Sequence, residues 1–298
     1  EELNSKLRPP PPPPRGVYHA LCTEASPCQE WFSVQDPLNQ RIIDIPASFA
    51  PGSACILCCK VVLTLLATAC LVLGVWIAEE KAFFFAYLTN LSLILSVLYL
   101  WTSLYLTYTA HCITQPSVAA RGTVALSWIL FEGGVHAQVV ASILWWTFVV
   151  GSMRELTMAV WEWHTVYGLA SHGGVALLCL VDGLMLNRLP VRLPHWWGVS
   201  LPVDLLYLVW TLVHHYADIG NPTSGDDSVN DAIYTVLNWN NPVPTGLLAA
   251  GILFVIGPLV YLLLWTLSAY HFWCCCQGVR RRYVSKEDAS SGDYVAHV

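Results

Sequence analysis

Residues 245–273 read TGLLAAGILFVIGPLVYLLLWTLSAYHFW, a stretch without any Asp, Glu, Lys or Arg. A run this long and apolar exceeds the roughly 20 residues that an α-helix needs to cross a bilayer. Backbone groups in lipid must bond within their own segment, which favours helices. Five comparable runs precede it, so the sequence predicts an all-α bundle of six transmembrane helices. The other runs are 53–78, 82–110, 123–151, 164–186 and 196–216.

The overall composition agrees with a chain solvated by lipid. Hydrophobic residues make up 55% of the 298 positions, charged residues only 11%, and the mean hydropathy is +0.52. A soluble domain typically carries about 25% charged residues. No stretch interleaves basic and aromatic residues as a nucleic-acid binder does. We therefore expect membrane lipids as partners and no nucleic acid.

The two ends of the chain differ from its middle. Six consecutive prolines at 9–14 adopt polyproline II, which serves as a spacer or as a ligand for an aromatic-lined groove. The predicted organisation is a Pro-rich tail over 1–52, a membrane domain over 53–273 and a second tail over 274–298. A protein partner could bind through the first tail.

Charge asymmetry between the connections predicts the orientation. Basic residues gather on one side of the predicted membrane, and the longest connection on the other side is acidic. The positive-inside rule then places both ends in the cytoplasm, in the plasma membrane or an endomembrane. The basic residues are Lys60, Arg121, Arg188, Arg192, Arg280, Arg281 and Arg282, and the acidic ones are Asp218, Asp226, Asp227 and Asp231.

Three consecutive cysteines, Cys274, Cys275 and Cys276, follow the last run and precede the arginines at 280–282. Juxtamembrane cysteines beside a basic cluster favour S-palmitoylation. The alternative is a set of unmodified thiols at the interface. A metal site is less favoured there, because zinc sites space their cysteines.

Polar residues inside the runs predict a polar interior. Ionisable side chains in a bilayer usually face the bundle interior or a cavity. At helical spacing the polar positions of runs two, four and five fall on single faces, whereas runs one and six are nearly all apolar. We therefore expect helices two to five to surround the interior. The stripes are Thr89, Ser92, Ser96 and Tyr99; Thr165, Gly168, His172 and Cys179; and Asp204, Tyr207, Thr211 and His215.

Spacing and depth predict particular pairs. Glu132 and His136 are four residues apart and should hydrogen-bond on one helix. Asp182 and Asp204 should pair with Arg188 and Arg192 as structural ion pairs. At about 1.5 Å of rise per residue, Thr89 and His172 lie at similar depths, roughly 10 and 13 Å below the outer surface. The predicted cavity residues around these two are Asn90, Ser92, Glu132, His136 and His215.

Three segments resemble a known family. FFFAYLTNLSLILSVLYL at 83–100, HGGVALLCLVDGLMLNRLPVRLPH at 172–195 and IYTVLNWNNPVPT at 233–245 resemble rolling stone-like proteins. These belong to a wider group with the androgen-induced-gene intramembrane hydrolases of fatty-acid esters. The resemblance implies that the Thr of YLTN, Thr89, and the His of HGG, His172, carry hydrolysis. The resemblance identifies no oxyanion donor, and Asn90 and Ser92 are candidates for that role.

The residues and the resemblance leave three functions open. The first is a lipid-ester hydrolase with Thr89 as nucleophile and His172 as base, because a hydroxyl needs a neighbouring base to attack. The second is a non-catalytic membrane scaffold, fusion factor or subunit of a larger complex, in which Thr89 only bonds a backbone carbonyl. The third is a metal-dependent lipid hydrolase or transporter using His136, His172, His214 and His215. The first two need no cofactor.

Overall fold

The fold is helical throughout the part that the structure describes, with no strand there. The computed structural model describes residues 54–78, 80–81, 83–112, 118–149, 163–187, 189, 191–221 and 232–269. Six of its helices are long and apolar enough to cross a membrane, which confirms the predicted number. They are α1 (Cys55–Ile77), α2 (Leu88–Thr109), α3 (Gly122–Phe148), α4 (Val166–Leu186), α5 (Leu193–Tyr216) and α6 (Pro242–Ala269).

Three helices begin at points that the apolar runs did not predict. A 3₁₀ turn, Phe83–Ala86, precedes α2, so that helix begins at Leu88. Both α5 and α6 begin several residues before their apolar runs, with prolines in their first turns. A proline is tolerated there because the first amides of a helix have no intrahelical acceptor.

The third helix, α3, is the most buried of the six and lies between α2, α4 and α5. Helix α1 packs on α2 and α4, and α6 closes against α5. Helices two to five were expected to surround the interior, but α1 also places the buried side chains of Lys60 and Thr64 into the bundle. Its other faces remain apolar and exposed, as a lipid-facing helix requires.

Short π-helical turns interrupt α3, α4, α5 and α6. The first, Phe131–Val135, contains Glu132 and ends just before His136. A π turn closes i→i+5 hydrogen bonds, so residues four apart no longer lie above one another. The predicted Glu132–His136 pair was wrong for this reason, and each side chain bonds to a partner on α5 or its first turn. The other turns are Trp145–Val149, Ala170–Gly174, Val181–Leu186, Trp196–Ser200 and Ile252–Ile256.

Several predictions lie outside the described residues. These include both tails, the prolines at 9–14, Arg188 and the acidic connection over 222–231. The cysteines of the acylation prediction, Cys274, Cys275 and Cys276, also lie there.

Candidate functional site

A buried ionic cluster joins α1, α2 and α4 at one end of the bundle. Lys60 Nζ donates to Asp182 Oδ1 at 2.6 Å, to Ser103 Oγ at 2.6 Å and to Asn187 Oδ1 at 2.7 Å. Asp182 Oδ2 accepts from Tyr99, Ser103 and Asn187 at 2.6–2.8 Å. Asp182 is thus ion-paired as expected, but its partner is Lys60 rather than an arginine. Every donor of the ammonium has an acceptor, so the charges stabilise each other.

A second saturated cluster lies around Glu132. Its carboxylate accepts from Trp128 Nε1 at 2.8 Å and from His195 Nδ1 at 2.7 Å. The backbone N–H of Arg192 also points to it at 3.4 Å, and the Arg192 guanidinium lies over the Trp128 ring at 4.9 Å from its centroid. Glu132 therefore fixes the start of α5 against α3.

A cavity of about 90 Å³ lies at the opposite end, where α2, α4 and α6 begin and where α3 and α5 end. Its wall comes from five helices, α2 to α6, and from the segment that precedes α6. Most lining side chains are apolar, such as Leu144, Phe148 and Leu253. The polar lining residues are Thr89, His172, Asp204, Tyr207, Thr211 and Tyr234. An apolar pocket with few convergent polar groups is the usual form of a site for a small apolar ligand.

The start of α2 holds Thr89 in place. Tyr207 and Trp210 of α5 donate to the carbonyl of Ala86, at 3.1 and 3.3 Å, just before the helix begins. The N–H of Leu88, which has no intrahelical acceptor, donates to the hydroxyls of Tyr207 at 3.0 Å and Tyr234 at 3.1 Å. The first turn of α2 is therefore pinned to α5 and to the connector before α6.

The Tyr234 hydroxyl lies at the start of α2, next to Thr89. It accepts from the N–H of Leu88 at 3.1 Å, and Tyr234, Thr89 and Tyr207 all line the cavity. Burial raises the pKa of Tyr234 above the usual tyrosine value, so the hydroxyl stays protonated at neutral pH. It can therefore donate to an oxygen at the Thr89 position.

The π turn Ala170–Gly174 carries His172, and α3 holds that turn. The Gln138 side-chain amide donates to the Ser171 carbonyl, and Trp146 Nε1 donates to the His172 carbonyl at 3.2 Å. The His172 ring stacks on Trp145 with centroids 4.5 Å apart and planes 7° from parallel. Its Nδ1 has no hydrogen-bond partner in the described part of the chain. The backbone is thus fixed while a ring nitrogen remains free to accept a proton.

Thr89 and His172 line the same cavity, as their matching depths predicted. No hydrogen bond joins their side chains among the described residues. Catalytic hydrogen bonds are often long or absent without substrate and form in the reacting complex. The shared cavity is therefore compatible with Thr89 and His172 acting together as nucleophile and base.

Asp204 lies deeper in the cavity wall and pairs with His136 instead of with Arg192. Its Oδ2 lies 3.0 Å from His136 Nε2, and both side chains are buried. The aromatic rings of Trp196 and Tyr261 surround His136, at centroid distances of 5.3 and 6.1 Å. His136 is thus behind the wall and Asp204 is on it.

The remaining predicted cavity residues do not line this cavity. Asn90 bonds to Tyr167 at 2.6 Å and to the Phe84 carbonyl at 2.8 Å. Ser92 donates to Gln138 Oε1 at 2.8 Å. Both side chains are engaged in helix packing, which leaves neither as an oxyanion donor. Glu132, His136 and His215 are also absent from the lining.

The histidines do not gather as a metal site would require. In the described ranges no group of three or more His, Cys, Asp or Glu side chains could hold a metal ion. His136 pairs with Asp204, and His172 stacks on an indole ring instead. The hypothesis of a metal-dependent lipid hydrolase or transporter therefore has no geometric support from these residues.

Sequence reasoning missed Tyr234, and it misassigned Asp204. Tyr234 lies in the connection between α5 and α6, and no helical spacing relates it to Thr89. The spacing of Asp204, Tyr207 and Thr211 did indicate one inward face of α5. This spacing could have predicted Asp204 as a cavity residue, but Asp204 was expected to pair with an arginine instead.

These features define the protein as an integral, multi-pass α-helical membrane protein with a cavity at one end of its bundle. The chain is similar to Protein rolling stone of Drosophila melanogaster, at 25% identity over 116 residues. That match covers 39% of this chain and 38% of the relative, and it agrees with the rolling stone-like resemblance of the three segments. No family model matches the chain. No solved structure matches it either.

Proposed function

We propose that this protein hydrolyses fatty-acid esters within the membrane, with Thr89 as nucleophile and His172 as base. The observation that carries the proposal is the shared cavity: Thr89 and His172 both line one apolar space, and Nδ1 of His172 is buried without a hydrogen-bond partner in the described part of the chain. Its apolar lining suits an acyl chain, and the few polar groups cluster around Thr89.

The chemistry follows the general pattern of acyl transfer. Thr89 Oγ1 attacks the ester carbonyl carbon while His172 takes its proton, and the leaving alcohol receives that proton. Water then cleaves the Thr89 ester with His172 again as base, which releases the fatty acid and restores the Thr89 hydroxyl. Tyr234, protonated and held at the start of α2 by the N–H of Leu88, would donate to the oxyanion as it forms.

A non-catalytic role is the second candidate, and one observation favours it. No hydrogen bond joins the side chains of Thr89 and His172 among the described residues, although both residues line the cavity. A scaffold, fusion factor or complex subunit that only binds lipid in the cavity would need no such bond. The Pro-rich tail would then supply a protein partner.

Turnover by purified protein separates the two candidates. The full chain, reconstituted in lipid bilayers, is tested against a panel of lipid esters beside Thr89→Ala, His172→Ala and the double variant. Each single change should reduce hydrolysis to background and the double change should add little, because the residues act as a unit. The matched control is Ser96→Ala, which removes a buried hydroxyl from the same helix outside the cavity.

Two outcomes would contradict the hydrolase. Hydrolysis that survives in Thr89→Ala would remove Thr89 as nucleophile. A folded, unaltered protein that hydrolyses no ester of the panel would favour the scaffold.

The orientation belongs to the same proposal. With both ends in the cytoplasm, the cavity opens towards the non-cytoplasmic side. A cysteine placed at Asp226 should react with an impermeant reagent added from that side, and one placed at Ser290 should not. Equal labelling of both would contradict the topology.

Acylation of Cys274, Cys275 and Cys276 remains part of the proposal. It would attach the last tail to the cytoplasmic leaflet, beside the basic residues at 280–282. A palmitate analogue should be incorporated and then removed by hydroxylamine. Incorporation that is unchanged when all three are serine would place the site elsewhere, with the exposed Cys55, Cys58 and Cys59 as the next candidates.

A further inference from the structure

Asp204 is a buried carboxylate on the cavity wall with one hydrogen-bond partner among the described residues. Its relative exposure is 7%, and its only bond is the 3.0 Å contact from Oδ2 to His136. A carboxylate in an apolar environment is costly unless its oxygens are satisfied. The corresponding carboxylates of Asp182 and Glu132 each accept at least two hydrogen bonds. Asp204 therefore has accepting capacity that the fold leaves unused.

The contact with His136 occupies only one of the two carboxylate oxygens of Asp204. Oδ2 lies 3.0 Å from Nε2 of His136. No hydrogen bond to Oδ1 is found among the described residues. Oδ1 is therefore the atom with which Asp204 can accept a hydrogen bond from a ligand.

Helix α6 closes the side of the carboxylate that faces His136. A Cβ added at Gly257 would lie 2.8 Å from Trp196 Cη2 and 3.3 Å from Asp204 Oδ2. The close approach of α6 covers Oδ2, and the side of Asp204 that lines the cavity is what a ligand can reach. Asp204 and Tyr207 are one turn apart on α5, so the carboxylate lies about 4.5 Å deeper than the hydroxyls that bracket Thr89.

We propose that Asp204 makes the cavity selective for lipids that carry a hydrogen-bond donor, a hydroxyl or an ammonium, about one helical turn beyond the group held at Thr89. A carboxylate oxygen accepts hydrogen bonds, so it favours such donors, and two carboxyl groups in one site disfavour each other's charged forms. This rests on the proposed role of the cavity as a lipid site and adds the class of lipid. Free fatty acids are disfavoured there.

Competition binding tests the inference without any turnover. The full chain in phosphatidylcholine nanodiscs at neutral pH is photolabelled with a diazirine-bearing long-chain alcohol. Competitors of one chain length then differ only in their polar end: alcohol, amine, methyl ether and carboxylate. We expect the alcohol or the amine to compete at concentrations about tenfold lower than the ether, and the carboxylate to be weakest. Comparison of the alcohol with the amine shows whether the cavity prefers a hydroxyl or an ammonium as the donor.

A charge-removing variant locates the effect. Asp204→Asn should weaken competition by the amine by about tenfold and strengthen that by the carboxylate, because the amide carries no charge. Glu132→Gln is the matched control: it makes the same change at a buried carboxylate outside the cavity and should keep the preference.

Equal competition by all four lipids in the unaltered protein would overturn the inference, whether or not the variants fold. An unchanged preference in a folded Asp204→Asn protein would also overturn it. Absence of any competable labelling would remove the cavity as a lipid site altogether. A donor preference in a protein that hydrolyses no ester would support this inference while contradicting the proposed hydrolysis.

Discussion

The two ends of the bundle use buried polar groups in opposite ways. Around Lys60 and Asp182, each charged atom has partners at 2.6–2.8 Å, and neither residue lines the cavity at the other end. Around Thr89, His172 and Asp204, a cavity separates the polar groups and part of their hydrogen-bonding capacity is free. Saturated groups hold helices together, whereas unsaturated groups beside a cavity can bind a ligand. Saturation of the polar groups therefore distinguishes the structural end of this bundle from the end that carries the candidate site.

The largest expected effect comes from breaking the saturated end. Lys60→Met removes the cation and leaves the Asp182 carboxylate buried without a counter-charge, which should cost about 3–5 kcal/mol of stability. The measurement is the unfolding midpoint in detergent. Lys81→Met, at an exposed lysine, is the control and should change little.

The double variant Lys60→Met/Asp182→Leu sharpens this test. Apolar replacement of both partners should recover much of the lost stability, because no unpaired charge remains. If Asp204→Asn destabilises the protein as much as Lys60→Met does, the contrast between the two ends is wrong.

A smaller effect is expected from two glycines of α4, one next to Asp182 and one next to His172. A Cβ at Gly183, next to Asp182, would clash with Phe131 Cε2, and the Phe131 ring packs on the Tyr99 ring with centroids 5.2 Å apart. Gly183→Ala should therefore destabilise by about 1–3 kcal/mol through overpacking. At Gly173, next to His172, a Cβ would meet nothing within 4 Å. Gly173→Ala should be neutral or slightly stabilising in thermal unfolding, and equal losses at both glycines would contradict the packing difference.

The smallest effect concerns Tyr234 and is seen in kinetics. In Tyr234→Phe the Tyr207 hydroxyl still accepts from Leu88, so stability should fall by only about 1 kcal/mol. If Tyr234 donates to the oxyanion, kcat should fall about tenfold or more while KM stays nearly constant. Tyr261→Phe, at a tyrosine outside the cavity, should leave the kcat to KM pattern unchanged.

The pH profile adds a readout that a structural role would not move. Burial raises the pKa of Tyr234, so the hydroxyl remains a donor until the pH exceeds the usual tyrosine value of about 10. Unaltered protein should therefore show no loss of kcat from Tyr234 between neutral pH and that value. A basic limb near pH 8 that disappears in Tyr234→Phe would contradict the assignment.

Length and hydropathy sufficed to predict the six helices, since only a helix satisfies its backbone in lipid. The common depth of Thr89 and His172 was also predictable, because rise per residue is nearly constant within a helix. Helix faces were less predictable. The π turn at Phe131–Val135 separated Glu132 from His136, and nothing in the residue pattern indicated it.

Partners between distant elements were the least predictable. Lys60 lies near the start of the apolar run 53–78. Its charge was therefore counted with those of the connections, whereas the fold buries it against Asp182. Tyr234 reaches Thr89 because its connector folds back over the start of α2. Both contacts depend on tertiary packing, which helical spacing does not encode.

Covalent labelling of Thr89 is the most direct test of the cavity as a hydrolytic site. A fluorophosphonate should phosphonylate the Thr89 hydroxyl with loss of fluoride, since this nucleophile and His172 share the cavity. We expect a single adduct on the peptide that contains Thr89, and this adduct should be lost in Thr89→Ala and retained in Ser96→Ala. No adduct on the folded, unaltered protein, or an adduct that persists in Thr89→Ala, would contradict it.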